Sequence, residues 1–388
     1  MKKIDYSSRL KKLPAYLFAQ IDEEKNKLRR KGVKFLDLSI GDPDIPAPSR
    51  VIDTLCKSSR LKENQKYALD QGKQRLRQSI KSWMRKRFKV DIDAQKECLV
   101  LIGSKEGLVH FPLAFGEKGD RILIPSPGYP GYRGAVIFSL AQPYVVPLRE
   151  RNSFLPRLDK IPLSVRNRAK IFYLNYPNNP TTTVAPREFL EEAARFCCKY
   201  GIILVYDNAY SEIYSEHKPL SILEVPSSWE IAIEFHSFSK SFCMTGLRLG
   251  WACGNSKLVQ GLLKLKTNID SGVFGAIQEA GITALEDCQN FTEKLRGIIS
   301  RRKEIFLKYL RQTGIKAYSY GTFYIWAKIP SPFKSSVEFA KYLLKKANII
   351  STPGVGFGRY GEGFIRFSLT TSEDEIEEAG RRLTKILS

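Results

Sequence analysis

The alternation of short apolar runs with helical patterns is the feature that most limits how this chain can fold. Seven apolar runs have the length of strands, and they cover residues 98–102, 121–124, 144–147, 170–174, 202–206, 231–236 and 249–253. Helical patterns separate most of them, and residues 186–200 (PREFLEEAARFCCKY) begin with a proline, which suits a first helical turn. Strands that alternate with helices predict an α/β fold with a mostly parallel, doubly wound seven-stranded sheet covered by helices on both faces.

The rest of the chain has a different pattern, and 388 residues are too many for one hydrophobic core. After about residue 285, a long basic helix over 290–312 precedes short strands at 321–327 and 364–368, which is typical of a smaller α+β domain. A charged helical stretch at 19–31 and a proline-rich loop at 43–48 precede the large sheet. We therefore predict an N-terminal arm with part of the small domain in residues 1–48, a large domain in 49–285 and a C-terminal small domain in 286–388.

Cysteine content and hydrophobic run length limit the cellular context. The seven cysteines are an odd number, are scattered, and include the adjacent pair Cys197 and Cys198, so they do not form a disulfide framework. Three histidines and no Cys-x-x-Cys pair argue against a structural zinc site, and we expect no metal. No apolar run approaches the roughly twenty residues of a membrane span, and the N-terminus has no signal-peptide pattern. These features predict a cytoplasmic protein without a membrane partner.

The formal net charge of +23 raises the question of nucleic-acid binding. Basic residues are spread along the whole chain, with local concentrations at 29–31, 81–89 and 301–303, and no helix-turn-helix module or basic tail stands apart. A solvated, lysine-rich surface, together with an acidic small-molecule substrate, accounts for the charge more simply. We therefore expect small-molecule substrates and no nucleic-acid partner.

Polar residues follow four of the predicted strands at the point where each strand ends. Ser104 opens a helix after the first strand, Asn179 follows the fourth, Asp207 the fifth, and Lys240 the sixth. In open α/β sheets, ligands bind at the carboxyl ends of the parallel strands, so we expect these side chains to lie close together.

One cofactor requires this combination of groups. Pyridoxal phosphate needs an amine for its aldehyde, an anion beside its pyridine nitrogen, and donors for its phosphate and phenolic oxygen. Lys240 and Asp207 supply the first two, while Ser237, Arg248 and the helix start at Ser104 could hold the phosphate. Each residue alone has an ordinary explanation, such as a surface lysine or a helix cap. Their convergence on one edge of the sheet indicates a pyridoxal-phosphate site.

Several ordered motifs resemble the class I and II aminotransferases, which are fold type I pyridoxal-phosphate enzymes. Residues 237–251 (SFSKSFCMTGLRLGW) are similar to the lysine signature of that family. Residues 176–181 (YPNNPT), the pair Asp207 and Tyr210, and residues 364–369 (FIRFSL) match it in the expected order. The resemblance extends from about residue 16 to the C-terminus. It implies the fold type I architecture and a transaminase activity on amino acids and 2-oxo acids.

The resemblance also implies a role for each matched position. Lys240 would hold the cofactor as a Schiff base and then move the substrate Cα proton, Asp207 would pair with the ring nitrogen, and Arg366 would grip the substrate α-carboxylate. The remaining cofactor contacts would be Asn179 and Tyr210 at the phenolic oxygen, Tyr129 stacked on the ring, and Ser104, Lys105, Ser237 and Arg248 at the phosphate. Tyr67 of a neighbouring subunit would join them, so a homodimer is implied. Gly41 and Asn179 would also contact the substrate.

Finer segments are similar to bacterial LL-diaminopimelate aminotransferases, among them residues 13–18 (LPAYLF), 102–107 (IGSKEG) and 267–272 (TNIDSG). By that resemblance Tyr16, Lys105 and Asn268 would read the far end of the substrate. The reaction would then be amino transfer from LL-2,6-diaminopimelate to 2-oxoglutarate. Relatives that act on alanine, aspartate or aromatic amino acids share nearly all of these motifs and remain alternatives.

Two local features depart from simple expectations. Thr182 stands where the family commonly has glycine after Asn-Pro-Thr, which leaves the geometry of that turn open. Residues 354–358 (GVGFG) imitate a dinucleotide-binding fingerprint, but they follow no strong early strand, and we interpret them as a loop near the substrate entrance.

Two further functions remain open on the same scaffold. A carbon–sulfur lyase or a decarboxylase would use the same cofactor contacts. A non-catalytic ligand sensor with this fold usually carries an added DNA-binding domain, and only about forty residues precede the first motif here.

Overall fold

The computed structural model describes residues 4–13 and 17–387 of the chain. Fourteen α-helices are found in that part: α1 Ser8–Lys11, α2 Leu17–Arg30, α3 Ser49–Ser59, α4 Gln74–Phe88, α5 Ser104–Phe115, α6 Gly131–Phe138, α7 Leu163–Arg166, α8 Arg187–Tyr200, α9 Phe238–Ser241, α10 Ser256–Lys266, α11 Gly275–Asp287, α12 Gln289–Gln312, α13 Ser336–Ala347 and α14 Glu373–Leu387. Within the described ranges, no helix is both long and apolar enough to cross a membrane.

The same ranges contain thirteen strands: β1 Leu36–Asp37, β2 Cys98–Leu101, β3 Arg121–Ser126, β4 Gln142–Pro147, β5 Ala169–Asn175, β6 Ile203–Asp207, β7 Ala232–Ser237, β8 Gly250–Gly254, β9 Ala317–Tyr318, β10 Tyr324–Lys328, β11 Ile349–Ile350, β12 Thr352–Pro353 and β13 Phe364–Ser368. Seven of them form one sheet in the order β2-β8-β7-β6-β5-β3-β4. The five strands from β7 to β4 are parallel to one another, and β8 is antiparallel to both of its neighbours. The predicted seven-stranded, mostly parallel sheet is therefore confirmed.

The large sheet is buried on both faces, which explains why its central strands read as continuous apolar runs. Alternate residues of β5 enter opposite cores: Phe172 and Leu174 pack in the cluster that includes α8, whereas Ile171 and Tyr173 pack in the cluster that includes α5 and α6. Successive side chains of a strand point to opposite faces, so a buried strand needs apolar residues at both parities.

The C-terminal part builds a second core around a smaller antiparallel sheet. Its strand order is β12-β13-β10-β9, and α12, α13 and α14 contribute apolar residues such as Phe306, Phe339 and Leu383 to the cluster that covers it. Residues 36–37 pair with residues 349–350 as parallel strands, so the N-terminal arm joins this second unit. The domain limits at 48 and 285 stay a prediction.

Two differences from the expected boundaries have a clear structural reason. The strand expected at 321–327 begins at Tyr324, because Thr322 adopts a positive φ of 61° and Gly321 forms an isolated bridge with Tyr214 instead. The helix expected from residue 186 begins at Arg187, and Pro186 is the capping residue before it. At its other end, Gly201 has a φ of 63°, the left-handed conformation that favours glycine after a helix.

Candidate active site

The carboxyl ends of β5, β6 and β7 lie side by side, as the sequence predicted. Asn175 pairs in register with Asp207 on the neighbouring strand, and its side-chain amide donates to the Asp207 carbonyl at 2.8 Å. Ser237 ends β7 and caps α9, the single turn that carries Lys240. The candidate residues of the three strands therefore share one edge of the sheet.

Lys240 is a partly buried amine with a defined partner. Its Nζ donates a hydrogen bond to the Gly41 carbonyl at 2.6 Å and lies 5.6 Å from the centre of the Phe323 ring. Burial lowers the pKa of Lys240 to about 8; the carboxylate of Asp42 opposes this shift, while Arg248 and Arg366 add to it. A lysine with this pKa is partly uncharged near neutral pH, which is the form that attacks a carbonyl carbon.

Gly41 is close to this amine because it has no side chain. A Cβ at Gly41 would lie 1.8 Å from the Tyr324 hydroxyl and 2.9 Å from the Phe323 ring. Glycine is therefore required for the backbone carbonyl to reach Lys240 between these two aromatic residues.

Asp207 ends β6 as a buried carboxylate. It accepts a hydrogen bond from the Tyr132 hydroxyl at 2.6 Å and one from the Ala209 N–H at 3.2 Å. Burial raises the pKa of Asp207 to about 6, against the opposing effects of Tyr132, the Ala209 N–H and His236. Burial and the neighbouring carboxylate raise the pKa of Tyr132 well above its usual range, so this phenol stays a donor. A cation beside Asp207 would favour its charged form.

Arg366 is a buried guanidinium on β13, held between two aromatic rings. It donates to the Asn179 side-chain oxygen at 2.8 Å and to the Ser39 carbonyl at 2.5 Å. Its Cζ lies 4.0 Å from the centre of the Tyr324 ring and 4.8 Å from that of Phe357. Burial lowers the pKa of Arg366, but an arginine stays charged at any physiological pH. A fixed, planar cation of this kind suits a carboxylate.

Tyr210 lies beside Arg366, at the seam where the small sheet meets the large sheet. Its hydroxyl is 3.1 Å from that of Tyr324, and either oxygen can be the donor. Burial raises the pKa of Tyr210 well above its usual range, so it remains protonated and able to donate.

A cradle suited to a phosphate group lies at the start of α5. Ser104 is the first residue of this helix, and a Cβ on the adjacent Gly250 would lie 2.6 Å from the Ser104 backbone nitrogen. Arg248 donates to the Ser239 hydroxyl at 3.3 Å and to the Thr245 carbonyl at 2.8 Å, while Ser237 accepts from the Ser239 N–H at 3.2 Å. The helix start, two hydroxyls and a guanidinium therefore converge, a combination that suits an anion.

A partly buried ion cluster lies beside the start of α5. Lys266, at the end of α10, donates to Glu106 at 3.0 Å and to Asp270 at 2.5 Å, and Glu106 accepts from the Ile102 N–H at 2.5 Å. Glu106, His110 and Asp270 could bring ligand atoms within 4.8 Å of one another. The Lys266 ammonium already bonds both carboxylates, so a side chain of the protein offsets part of the negative charge of the cluster.

Other predicted residues lie outside this compact group. Tyr67 is 97% exposed between α3 and α4, and Asn268 is exposed after α10, where its amide donates to the Lys264 carbonyl at 2.8 Å. Tyr129 packs edge-on against Tyr132, with ring centres 5.5 Å apart, and lines a large cavity together with the exposed Lys105. Tyr16 lies outside the described residues.

Thr182 takes the left-handed conformation that glycine favours, with a φ of 66°. Its N–H donates to the Asn178 carbonyl at 2.8 Å, and its carbonyl accepts from the Gly321 N–H at 2.7 Å. Its hydroxyl accepts from the Tyr320 N–H at 3.1 Å. The turn after Asn179 is therefore formed with threonine in place of glycine. The threonine hydroxyl adds a hydrogen bond to the segment between β9 and β10.

Sequence reasoning missed several residues that contact the predicted ones, among them Ser39, Tyr132, Ser239, Phe323 and Tyr324. The position of Ser239, between Ser237 and Lys240, could have indicated it from the sequence. Tyr132 could have been suspected because it lies three residues after Tyr129 and at the start of a helix. Tyr324 begins β10 and Phe323 precedes it, and no sequence motif marks either residue. The glycine-rich segment at 354–358 forms a 3₁₀ turn that presents Phe357 to Arg366.

Known proteins resemble this chain over nearly its whole length. The sequence model of the family described as "Aminotransferase class I and II" matches residues 33–383. The LL-diaminopimelate aminotransferase of Aquifex aeolicus is 47% identical over 384 residues, which is 98% of this chain and 99% of the relative. Substrate-bound BacF of Bacillus subtilis is 32% identical with a TM-score of 0.95, over 99% of this chain and 98% of that one.

A Thermus thermophilus aspartate aminotransferase mutant superimposes with a TM-score of 0.93 at 26% identity, over 99% of this chain and 100% of that one. These full-length similarities are consistent with the strand order and with the lysine that follows β7. The chain therefore belongs to the class I and II aminotransferases, a family of pyridoxal-phosphate-dependent transferases.

Proposed function

We propose that this chain transfers the amino group of LL-2,6-diaminopimelate to 2-oxoglutarate and so forms tetrahydrodipicolinate and glutamate. The observation that carries the proposal is the placement of Lys240, Asp207 and Arg366: Lys240 and Arg366 are close enough for their charges to interact, and Asp207 ends the strand that pairs with the one leading to Lys240. These residues are a nucleophilic amine, a buried anion and a carboxylate-binding cation. The choice of diaminopimelate is supported by the Aquifex relative, which carries the name LL-diaminopimelate aminotransferase at 47% identity.

The residues present fit pyridoxal phosphate. When bound, the cofactor supplies an aldehyde that reacts with amines and a ring that accepts electrons from the bond being broken. Asp207, with a pKa of about 6 in its buried setting, would be held ionised by a protonated ring nitrogen. Ser104, Ser237 and Arg248 would hold the phosphate, with the Lys105 backbone beside them, and Asn179 and Tyr210 would donate to the phenolic oxygen. Tyr129 would stack on the ring.

Lys240 would perform the proton transfer. Its Nζ, as a free amine beside the bound substrate, would take the proton from the substrate Cα. A pKa of about 8 leaves part of the lysine population neutral at physiological pH, so Nζ can accept that proton. The Gly41 carbonyl, 2.6 Å from Nζ, orients the amine.

Arg366 would fix the substrate α-carboxylate with its two terminal nitrogens. Its geometry is set by Asn179, the Ser39 carbonyl and the two rings that sandwich it. Orientation of this kind aligns the Cα–H bond for removal and accounts for much of the rate of such reactions.

The far end of the substrate would be read by Tyr16, Lys105 and Asn268. Lys105 lines the cavity next to Tyr129, so it faces the site from the large domain. Asn268 lies on the surface of its own chain, and we place it at the site of a second copy.

We further propose a homodimer in which each copy completes the site of the other. Tyr67 and Leu69 are 97% and 71% exposed, and Ile269 and Phe274 are also exposed. The two loops touch, because a Cβ on Gly272 would lie 2.3 Å from the Leu69 carbonyl oxygen. Together they present an apolar surface of the kind that protein partners cover. A second copy bound to this surface would bring its own Tyr67 and Asn268 to the site of the first copy.

The proposed location is the cytoplasm. All seven cysteines are free thiols, four of them in the core of the large sheet's clusters (Cys98, Cys197, Cys253 and Cys288). Reduced thiols are typical of the reducing interior of a cell.

The test is a donor panel with purified protein and 2-oxoglutarate. We expect a yellow protein that consumes LL-diaminopimelate, and we expect Lys240→Ala to abolish turnover. A panel with strong activity on alanine, aspartate or aromatic amino acids and none on diaminopimelate would remove the substrate but leave the enzyme class. Protein that fails to take up pyridoxal phosphate at all would remove the cofactor chemistry as well.

A further inference from the structure

A cavity of about 1420 Å³ opens beside the candidate site. One wall is built by the ends of β3 and β4 and by α6, and the other by α13 and residues 353–360. Lys105, Tyr129 and Tyr132 of the candidate site line the same cavity, as does Phe357, which packs on Arg366. The cavity therefore borders the candidate site and shares these residues with it.

The wall of this cavity has one sign of charge. Nine of the forty described residues that line it are lysine or arginine, and none of the forty is aspartate or glutamate. Because 40 of the 388 residues are acidic, a wall of average composition would contain about four carboxylates. Arg133, Arg149 and Arg359 are three of these cations.

Two of these cations are held close to one another by the same aromatic ring. Arg149 and Arg359 lie on the ring of Tyr360, with Cζ at 4.9 and 4.7 Å from its centre, and Arg359 also donates to the Tyr360 hydroxyl at 2.9 Å. Arg157 and Lys160 of the same wall pair with Asp159, whereas none of the ion pairs among the residues that the structure describes involves Arg133, Arg149 or Arg359. An anion that entered the cavity would relieve this concentration of positive charge.

We propose that this cavity is a cationic vestibule that collects small dicarboxylates and delivers them to the site. A concave wall of one charge raises the local concentration of oppositely charged ligands and their rate of association. The inference rests on the proposed function, in which 2-oxoglutarate and diaminopimelate each carry two carboxylates. Arg366 would bind one carboxylate. The vestibule attracts 2-oxoglutarate through its net negative charge, whereas diaminopimelate, whose two carboxylates are balanced by two ammonium groups, is attracted far less.

The variant that tests the vestibule is the triple change Arg133→Gln, Arg149→Gln and Arg359→Gln. Its matched control removes the same charge from exposed positions of α12, by Lys294→Gln, Lys308→Gln and Arg311→Gln. At low ionic strength we expect the vestibule variant to lose about tenfold in kcat/KM for 2-oxoglutarate, mostly through KM, and the control to stay within about twofold. Added salt should shrink the difference, because it screens exposed charges. Pyruvate, with one carboxylate, should be affected less.

Binding of glutarate, an unreactive dicarboxylate, separates this inference from the choice of amino donor. Calorimetry on the cofactor-loaded protein should show a several-fold weaker dissociation constant for the vestibule variant than for the control, and little change for butyrate. This result stands whether or not diaminopimelate proves to be the donor. Equal glutarate binding by the two triple variants, or a loss of kcat/KM that salt does not change, would overturn the vestibule. If the triple variant melts early, Arg133→Gln and Arg359→Gln are each measured alone by the same criteria.

Discussion

The guanidinium of Arg366 donates to the side-chain oxygen of Asn179 across 2.8 Å, although the two residues are 187 positions apart. Arg366 belongs to the small antiparallel sheet, whereas Asn179 follows a central strand of the large sheet. The bond therefore joins the two units at the point where the substrate α-carboxylate would bind. Relative movement of the two sheets would change the position of that carboxylate, so the seam itself is part of the site.

Arg366→Lys tests this arrangement. Lysine keeps the positive charge but cannot donate to Asn179, Ser39 and a carboxylate from one rigid plane. We expect kcat/KM for the amino donor to fall by about a hundredfold, with a rise in KM. Steady-state kinetics against the control Arg381→Lys, at an exposed position of α14, measures the effect. Unchanged kinetics in Arg366→Lys would mean that another group holds the carboxylate.

Tyr132→Phe tests the support of Asp207. The change removes one donor to a buried carboxylate, so we expect the pKa of Asp207 to rise further and its charge to become less available. A lost hydrogen bond to a charged group costs about 1.5–3 kcal/mol, which corresponds to roughly tenfold or more in the dissociation constant of pyridoxal phosphate. Titration of the cofactor by absorbance measures this directly.

Tyr173→Phe is the matched control for that experiment. Its ring stacks on Tyr132 with centres 4.8 Å apart, but its hydroxyl donates to the Leu108 carbonyl and leaves Asp207 untouched. Equal weakening of cofactor binding in both variants would show that packing in α6, and not the bond to Asp207, matters.

The sequence was sufficient for the parts of the site that follow local rules. The seven strands of the large sheet were predicted to within two residues at each end, because buried parallel strands are short apolar runs bounded by turns. That placed Asp207 and Lys240 at one edge. Tyr324 and Phe323 could not be predicted, since their positions depend on how the small sheet docks against the large one. Tyr132 was missed because a tyrosine in an apolar helix is ordinarily read as core.

Thr182 allows a test of backbone strain against side-chain bonding. Left-handed backbone costs a non-glycine residue about 1–2 kcal/mol, whereas the Thr182 hydroxyl accepts a bond from the Tyr320 N–H. We expect Thr182→Ala to lower the melting temperature, because it loses the bond and keeps the strain. Thr182→Gly loses the bond but relieves the strain, so it should melt above Thr182→Ala. Thr182→Ser keeps the bond and should lie nearest the parent protein. Scanning calorimetry gives the order of the melting temperatures. An alanine variant as stable as the serine variant would show that the hydrogen bond from the Tyr320 N–H does not stabilise the fold.

Removal of the Lys303 charge should stabilise the folded protein by an amount that depends on pH. This lysine of α12 is buried, its Nζ donates to the Ser215 hydroxyl at 3.0 Å, and burial lowers its pKa to about 7. In the unfolded chain a lysine titrates near 10.4. Between about pH 7 and pH 10 the unfolded state therefore binds one more proton at this position than the folded state, and the contribution of Lys303 to stability rises with pH.

Below pH 7 both states carry the charge, and the full cost of burying it is present. Lys303→Met, which removes that charge and keeps the length of the side chain, should therefore raise the melting temperature most at pH 6, by several degrees, and progressively less towards pH 10. Comparison with Lys308→Met, at an exposed position of the same helix, removes general effects of net charge and of methionine. A gain for Lys303→Met that is constant from pH 6 to pH 10 would contradict a lowered pKa for Lys303, because only a difference in proton binding between the folded and unfolded states makes the gain depend on pH.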